Sequence, residues 1–452
     1  MIVVKFGGTS IGDAEAIQRS ASIVRGRLPR TPVVVVSALA GTTNGLIEIA
    51  EHAAAGHLIV ALSILETLRA RHFAVIEQLL PGSDSDADVV SETGMLFDEL
   101  AHLAEALSVL GHVTPRAHDA VAAIGERLSA PIVVAALEHA GVPAVLVDAR
   151  RVMATTDEFG KAEPRAEEIA MACRTLLLPL VREGKVPVLG GFIGATAAGI
   201  TTTLGRGGSD YSASLLGAAM DAEAIEIWTD VDGMLTADPR VVPDARLIEE
   251  IRFDEAAELA SFGAKVLHPN TIAPAVRRGI PVFVFNSRRP EGRGTRITFD
   301  APRLAVRAIA GRARTVVVKV RSPRMLAAPG ALRAIFEVFE RNRTSIDVVA
   351  TSEVSVSVTL DDDQRLDAVV AQLSAFGDVS VERGRGVVAL VGAGLGESTV
   401  TMARALTALG DVRLYMLSLS ATGINLTLIV DGESVPEAMR RLHAAFFGAG
   451  PS

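Results

Sequence analysis

The 452-residue chain has a single cysteine, Cys173, so no disulfide can form within it. Because disulfides occur mainly in oxidising compartments, we expect this protein in a reducing compartment, the cytoplasm. A lone cysteine in an apolar helical pattern is usually a core residue. The first residues enter a strand pattern directly, without the basic and apolar regions of an export signal, so no export is expected.

Long hydrophobic runs and excess positive charge are also missing. No uninterrupted apolar stretch looks long enough to span a bilayer, although 49% of the residues are hydrophobic and the mean hydropathy is +0.36. A net charge of -9 and a pI near 5.6 argue against a nucleic-acid or anionic-membrane surface. The length predicts two or three domains.

Lysine is scarce, with five lysines against 39 arginines, and one of the five stands in "KFGGTS" directly after an apolar run. A compact ammonium meets phosphate oxygens as a point charge, so Lys5 beside Gly7 and Gly8 favours a phosphate-binding turn. The alternative is a tight strand-to-helix turn without ligand. These six residues alone leave the two interpretations nearly even.

The first two thirds of the chain alternate short apolar strands with helical patterns, which predicts a mainly parallel α/β sheet covered by helices on both faces. We expect this domain to cover residues 1–300, with a helical insertion at 46–112 that the turn-like segment 81–86 interrupts. The predicted strands are 2–4, 32–36, 144–147, 186–189, 225–228 and 281–284.

The last third reads as a duplicated β-α-β-β-α-β unit with a repeat spacing of roughly 70 residues. The first α+β unit is expected at 311–385 and the second at 386–452. Because the second copy lacks a last strand, we expect the apolar segment 306–310 to supply it, so that both copies share one structure. The strands predicted here include 345–350 and 412–418.

Two polar clusters follow predicted strands. "TTTLGRGGSDYSAS", residues 201–214, combines a glycine turn with a small-residue helix, which is typical of an anion-binding helix N-terminus. The alternative is that Ser209 or Asp210 is merely an N-cap, but capping needs neither Arg206 nor three threonines. "WTDVDGMLTADPR", from residue 228, places polar groups where ligands of open α/β sheets bind.

Two other glycine patterns are weaker. "VGAGLGES", residues 391–398, has the spacing G-x-G-x-G, and no suitable acidic residue closes a following strand, so a plain turn is the better interpretation. Residues 7–12 have the glycine spacing of a P-loop, but Asp13 stands where its lysine belongs.

These motifs, together with "SALAGTTN", "GERLSA", "FGKAEP" and "FGAKVLHP", resemble aspartate kinases of the amino-acid kinase superfamily that carry two C-terminal ACT domains. The resemblance covers essentially the whole chain. Within the family, the chain resembles the monofunctional, lysine-sensitive type. It implies ATP-dependent phosphorylation of the aspartate side-chain carboxylate to 4-phospho-L-aspartate, the first step of lysine, threonine and methionine biosynthesis. ATP and Mg²⁺ are implied as co-substrate and cofactor, no residue is assigned as a metal ligand, and Asp210 would hold the charged groups and the bound metal ion in register.

The resemblance also implies roles for individual residues. The implied catalytic pair is Lys5 and Asp210. The implied aspartate-binding residues are Thr43, Glu126, Arg206, Gly207, Gly208 and Ser209. The implied ATP-binding residues are Lys5, Phe6, Gly7, Gly8, Ser10, Thr229, Asp230, Leu235, Arg240, Lys265 and Val266. Leu235 departs from the family, in which a tyrosine often flanks the adenine.

The first ACT unit resembles those that sense lysine. The implied effector-binding residues are Met325, Gly330, Ala331, Leu332, Ile346, Asp347, Thr351 and Ser352. Asp347 is available for an ammonium, and Ala331 replaces a commonly bulkier aromatic residue. The resemblance further implies a homodimer through the ACT domains, with a tetramer as the larger assembly.

Two other functions stay open at this point. One is a related acyl-phosphate-forming kinase, such as one acting on glutamate, against which Glu126, Arg206 and the ACT pair argue. The other is a non-catalytic amino-acid sensor, against which the intact Lys5, Arg206 and Asp210 argue.

Overall fold

The computed structural model describes residues 1–80, 85–262, 269–325, 329–361 and 363–448. The helices are α1 Ala14–Arg27, α2 Thr42–Ala54, α3 Leu58–Leu79, α4 Ser85–Leu110, α5 Pro115–Ala122, α6 Ile124–His139, α7 Ala166–Ala172, α8 Leu178–Arg182, α9 Gly208–Ala219, α10 Phe253–Ser261, α11 Ala273–Arg278, α12 Ala331–Arg341, α13 Leu366–Leu373, α14 Thr399–Leu409 and α15 Val435–Phe447. The strands are β1 Ile2–Phe6, β2 Pro32–Val36, β3 Ala144–Leu146, β4 Val186–Gly190, β5 Ile193–Ala195, β6 Thr201–Thr203, β7 Ala224–Thr229, β8 Glu250–Arg252, β9 Val282–Asn286, β10 Thr295–Thr298, β11 Ala308–Arg321, β12 Val349–Ser352, β13 Ser355–Leu360, β14 Asp378–Val391, β15 Met416–Leu419 and β16 Asn425–Asp431.

The chain divides into two compact units. The first comprises Met1–Met234 and Val266–Phe299, and the second comprises Leu235–Lys265 and Asp300–Ser452. The predicted boundary near residue 300 therefore does not separate them completely. Ala237 and Val242 lie in the apolar core that also holds Val388, and the Thr236 hydroxyl contacts His443 Nε2 at 2.9 Å, so this segment packs within the second unit.

The sheet of the first unit has the strand order β3-β4-β2-β1-β7-β9-β10. All neighbours pair in parallel except β9 and β10, which are antiparallel. Strands such as Ile2–Phe6 and Pro32–Val36 are buried at every position, as expected for a sheet covered on both faces. The carboxyl ends of β1, β2, β4 and β7 consequently lie at one edge of the sheet.

The helical insertion begins at Thr42, the first residue of α2, somewhat earlier than predicted. It has a break at residues 55–57 that the periodicity did not predict, and α4 begins at Ser85, inside the segment 81–86 predicted as a turn. Residues 81–84 lie outside the described part. Leu65, Phe97 and Leu100 are almost fully buried in an apolar core that the three helices share with α5 and α6.

One helical stretch, Pro115–His139, has the length and hydropathy that a membrane span would need. Its most apolar window is 83% buried within the protein, as is typical of a core helix. The stretch consists of α5 and α6, and α6 packs against the sheet of the first unit through residues such as Ile132 and Leu137.

The second unit contains a six-stranded antiparallel sheet with the order β12-β13-β11-β14-β16-β15. Its two long central strands pair over most of their length, with register shifts between Arg312 and Val317. Residues 308–310, predicted to join the second copy, pair with residues 389–391 of β14. The other half of β11 pairs with β13, so each long strand belongs to both copies.

Two predicted strands of this unit are shorter than expected. Residues 345–348 precede β12 because Asp347 and Val348 both oppose Thr359. The Asp347 amide donates to the Thr359 carbonyl at 3.1 Å, and the Val348 amide donates to the Thr359 hydroxyl at 3.0 Å, so regular pairing begins only at Val349. The strand predicted at 412–418 begins only at Met416, the first residue of β15.

Candidate active site

The "KFGGTS" segment leaves the end of β1 as a tight turn. The Gly7 amide donates to the Trp228 carbonyl at 2.9 Å, and a short 3₁₀ helix, Gly8–Ile11, follows. A side chain at Gly8 would meet the Ala38 carbonyl at 2.9 Å, so close backbone approach requires glycine there. The next α-helix, α1, is capped by the Asp13 carboxylate, which accepts from the Ala16 amide. One of the free backbone N–H groups at the N-terminus of α1 therefore already has an acidic side chain as its acceptor.

The second glycine turn leads into α9. Its N-cap is Gly207, with φ 72° and no side-chain cap. The alternative that Ser209 or Asp210 is the N-cap is therefore wrong, because both lie within the first turn of the helix. Gly208 has no room for a side chain, since a Cβ would lie 2.6 Å from the Phe192 ring. The turn thus exposes backbone N–H groups of the helix N-terminus beside Asp210.

Lys5 and Asp210 come together between these two turns. Lys5 Nζ lies 2.6 Å from Asp210 Oδ1, and the two side chains are only 10% and 14% exposed. Lys5 belongs to β1 and Asp210 to α9, so the contact joins two segments that are distant in the sequence.

A cavity of about 660 Å³ opens beside this pair. It brings together nine of the residues that the resemblance implied for catalysis or substrate binding. They are Lys5, Gly8, Thr43, Glu126, Arg206, Gly207, Gly208, Ser209 and Asp210. The loop 37–41 and His118 line other parts of the cavity. Arg206 is exposed, and no ion-pair partner for it lies among the residues that the structure describes.

Glu126 is the buried acid of this cavity, with only 3% of its surface exposed. Its Oε2 atom has no hydrogen-bond partner in the described part of the chain. Burial raises the pKa of Glu126 to about 8, against the opposing effects of a backbone hydrogen bond at Ala38 and the charge of Lys5. A buried carboxyl group of this kind is neutral at neutral pH until a cation approaches it.

The residues implied for ATP divide into several groups. Phe6 is fully buried and stacks on Trp228, so its side chain serves the core. The Ser10 hydroxyl is also buried and contacts the Trp228 carbonyl and the Ser287 hydroxyl. Thr229 ends β7, and Asp230 follows it at the same edge of the sheet as Lys5.

The remaining four ATP positions lie elsewhere. Leu235 and Arg240 belong to the second unit, where the exposed Arg240 pairs with Asp238 at 2.6 Å. Lys265 and Val266 lie outside the described residues.

The structure adds Asp119, which the sequence did not indicate. Its buried carboxylate accepts hydrogen bonds from the Gly160 amide at 2.9 Å and from the amide and hydroxyl of Thr203 at 3.0 and 2.7 Å. Gly160 and Thr203 both line the cavity. No local pattern marks Asp119, because its partners are 41 and 84 positions away.

Phe192, which also lines the cavity, was likewise not predicted. Its φ is 65°, a left-handed backbone that is strained for an aromatic residue. The Ser212 hydroxyl, which accepts from the Phe192 amide at 3.0 Å, helps to hold that conformation.

In the second unit, Asp347 forms an ion pair with Arg312 at 2.7 Å, and Arg312 also pairs with Asp361. Burial and the neighbouring Asp347 raise the pKa of Asp361 to about 7, while Arg312 opposes the shift. The carboxylate implied for an effector ammonium is thus already in contact with a cation from its own chain.

The other implied effector residues lie on several elements of the first ACT unit. Met325 and Ile346 pack against its apolar core. Gly330, with φ 85°, is the N-cap of α12, whose first turn holds Ala331 and the exposed Leu332. Thr351 and Ser352 end β12.

Comparison with known proteins completes this description. Residues 1–286 match the amino acid kinase family, and residues 388–446 match the ACT domain. The chain is 39% identical over 458 residues to lysine-sensitive aspartokinase 3 of Escherichia coli (strain K12), covering 99% of each protein. The chain belongs to the aspartokinases of the amino acid kinase family. Another aspartokinase, chloroplastic aspartokinase 1 of Arabidopsis thaliana, is 34% identical and is covered to 80% of its length.

Crystal structures of aspartokinases confirm the predicted fold class. Escherichia coli aspartokinase III in complex with aspartate and ADP, described as the R-state, is 38% identical and superposes with a TM-score of 0.85, covering 99% of this chain and 100% of that one. The same enzyme in complex with lysine and aspartate, described as the T-state, gives a TM-score of 0.83 at 38% identity and 99% coverage of both chains.

Proposed function

We propose that this aspartokinase transfers the γ-phosphoryl group of ATP to the side-chain carboxylate of L-aspartate, giving 4-phospho-L-aspartate, and that lysine inhibits the reaction. The observation that carries the proposal is the cavity in which Lys5, Asp210, Arg206 and Glu126 meet at the carboxyl edge of a parallel sheet. The relatives support the substrate and the effector through their described ligands, aspartate, ADP and lysine.

The chemistry suits these residues. The side-chain carboxylate of aspartate has a reference pKa of about 3.9, so it is ionised near neutral pH and needs no general base. One of its oxygens forms the bond to the γ-phosphorus while the bond to the bridging oxygen breaks, releasing ADP without a proton transfer. Catalysis then rests on positioning and on charge neutralisation, for which Lys5 and the N-terminus of α9 are placed.

Substrate recognition follows from the remaining side chains. Arg206 can hold the α-carboxylate of aspartate with two parallel hydrogen bonds, and the buried Glu126 can pair with its α-ammonium. Thr43 adds a hydroxyl at the cavity wall. In this proposal Gly7, Gly8, Ser10, Thr229 and Asp230 form the nucleotide side. The assignments of Phe6, Leu235, Arg240, Lys265 and Val266 to ATP stay predictions of the resemblance.

Mg²⁺ fits the same cavity through Asp210. Within the described residues no group of three or more His, Cys, Asp or Glu is arranged to hold a metal ion, so an all-protein cage is not available there. Mg²⁺ in kinases commonly takes one or two carboxylates and fills its other positions with phosphate and water oxygens. When bound with ATP, it supplies neutralisation of the phosphate charge, and Asp210 is the residue that would hold it.

Regulation and assembly complete the proposal. Lysine would bind in the first ACT unit with its ammonium at Asp347, and a homodimer would form through the ACT domains, with a tetramer as the larger assembly. The buried, free thiol of Cys173 is compatible with a cytoplasmic location.

The test is ATP- and Mg²⁺-dependent acyl phosphate formation, trapped as the hydroxamate, with aspartate and glutamate in parallel and with lysine or threonine added. Aspartate-specific product suppressed by lysine is the expected result. Product from glutamate alone, or no product with either acid, would overturn the assigned reaction. Suppression by threonine only would overturn the assigned effector, and a monomer by light scattering with and without lysine would overturn the dimer.

A further inference from the structure

Arg71 reaches out of the helical insertion to two loops of the sheet. It lies on α3, and its guanidinium donates from Nη1 to the Ala40 carbonyl at 2.5 Å and from Nη2 to the Gly12 carbonyl at 2.7 Å. Both acceptors are main-chain atoms, so the contact fixes loop backbone. A planar guanidinium with two outward N–H groups suits this pair of acceptors, whereas an ammonium presents a single point charge.

The loops that Arg71 joins both reach the cavity, one along its whole length and the other through Gly8. Ala40 belongs to the loop 37–41, all of which lines the cavity, and Gly12 follows the 3₁₀ helix that begins at Gly8. The loops already touch each other, since the Ala40 amide donates to the Gly8 carbonyl at 3.1 Å. The peptide groups of Ala40 are thus held on both sides, by Gly8 and by Arg71.

We infer that Arg71 is a positioning residue, which uses its fork of two hydrogen bonds to hold the loop 37–41 and the turn after β1 in the spacing that the substrates need. The inference rests on the proposed function, because it assigns to Arg71 the alignment of the same cavity. Arg71 itself is not one of the residues that line the cavity. It ties the helical insertion to the site.

This geometry predicts which kinetic constants change when Arg71 is replaced. Gly8 lies on the proposed phosphate side, while Ala38 lies beside Glu126 and Thr43 follows the same loop on the proposed aspartate side. Loosening the loops should therefore lower kcat and raise the KM values of both substrates. Loss of alignment by about 1 Å is enough to cost a factor on the order of 100 in rate.

The experiment compares Arg71→Ala and Arg71→Lys with the control Arg69→Ala. Arg69 lies on the same helix, but its guanidinium contacts side chains of the insertion, Asp98 at 3.4 Å, Glu66 at 3.8 Å and the Phe73 ring, and among the described residues it bonds to neither loop. We expect Arg71→Ala to lose about 10- to 100-fold in kcat/KM, with partial recovery in Arg71→Lys or when millimolar guanidinium is added. The control should stay within about twofold of the wild type and should not respond to guanidinium.

A second readout does not depend on catalysis. Hydrogen exchange of the amides in segment 37–41, the Ala40 amide above all, should be at least tenfold faster in Arg71→Lys than in the wild type and unchanged in Arg69→Ala. Unchanged exchange, or kcat/KM within twofold of the wild type in both Arg71 variants, would overturn the inference. If the wild type itself makes no acyl phosphate, the proposed function fails, and the exchange measurement still decides whether Arg71 positions the loops. If Arg71→Ala does not fold, Arg71→Lys carries both measurements.

Discussion

Lys5 Nζ lies 2.6 Å from Asp210 Oδ1, and this ion pair is shielded from solvent at the edge of the candidate active site. A largely buried pair of this kind costs desolvation energy, so it is weak evidence for a purely stabilising role. Its position beside a cavity with an uncapped helix N-terminus is better explained by the binding of a charged ligand that exchanges partners with it.

The first prediction concerns this pair. Lys5→Met should lower kcat by about 100- to 1,000-fold, the usual effect of removing one stabilising charge from a transition state. The double variant with Asp210→Asn should lose much less than the product of the two single effects, because the groups act as a unit. Steady-state hydroxamate assays measure both effects. Lys185→Met is the control, since Lys185 is an exposed partner of Glu183; a Lys5→Met enzyme as fast as that control would contradict the assignment.

The second prediction concerns the pH dependence of aspartate binding. Burial raises the pKa of Glu126 to about 8, so its carboxyl group is mostly protonated in the free enzyme at pH 7. Pairing with an ammonium requires the ionised form, and binding of aspartate should release a proton. The KM for aspartate should thus fall as the pH rises from 6 to 8, by up to about tenfold per unit, and level off above.

The stability of the unliganded protein should fall with rising pH, whereas its affinity for aspartate should rise. Because the folded state holds the Glu126 proton more tightly than the unfolded state, the contribution of Glu126 to stability falls as the pH rises from about 4.5 to about 8. Glu126→Gln removes this titration, so the variant should gain stability over the wild type at pH 8 but not at pH 4. Denaturant unfolding at the two pH values measures the difference in unfolding free energy between the variant and the wild type. A constant difference between the proteins would show that Glu126 is not the group that titrates.

The third prediction concerns the effector site. Because Arg312 already pairs with Asp347, an effector ammonium must compete with it. Arg312→Gln should lower the lysine concentration for half inhibition, by about tenfold if the competition costs about 1.4 kcal/mol. Arg314→Gln, an exposed arginine of the same strand, should leave that concentration unchanged. Weaker inhibition in Arg312→Gln would mean that Arg312 supports lysine binding instead.

The fourth prediction concerns Asp119. Asp119→Ala removes the carboxylate that accepts from the Gly160 amide and from the amide and hydroxyl of Thr203. Leaving buried donors unsatisfied costs about 1–3 kcal/mol, so the free energy of unfolding should fall by at least that amount. Chemical denaturation measures this free energy, with Asp98→Ala on the exposed face of α4 as the control. Equal stabilities would show that the three hydrogen bonds contribute nothing net.

The sequence predicted the central sheet well because its strands are buried at every position, as Pro32–Val36 illustrates. The glycine turns after strands indicated two separate anion-binding segments. The resemblance to aspartate kinases assigned Lys5 and Asp210 to one site, and the structure brings their side chains into contact. The duplicated C-terminal pattern was likewise visible as a repeat of similar elements.

Other features had no local signal. Arg71 and Asp119 act through backbone groups far along the chain, so their neighbours in the sequence say nothing about their partners. In the predicted strand at 345–350, Asp347 and Val348 both oppose Thr359, one at its carbonyl and the other at its hydroxyl, and the sequence does not show this irregular pairing. Segment Leu235–Lys265 packs with the second unit through side chains such as Val242, which periodicity alone cannot assign to a domain.

The two long strands β11 and β14 have a consequence for the history of the regulatory region. Since each strand serves both ACT copies, cutting the chain near residue 386 would leave neither half with a complete set of strands. The two copies therefore form a single structural module. An exchange of one copy alone would have to rebuild the shared strands, so we expect the two copies to be lost, transferred or replaced together.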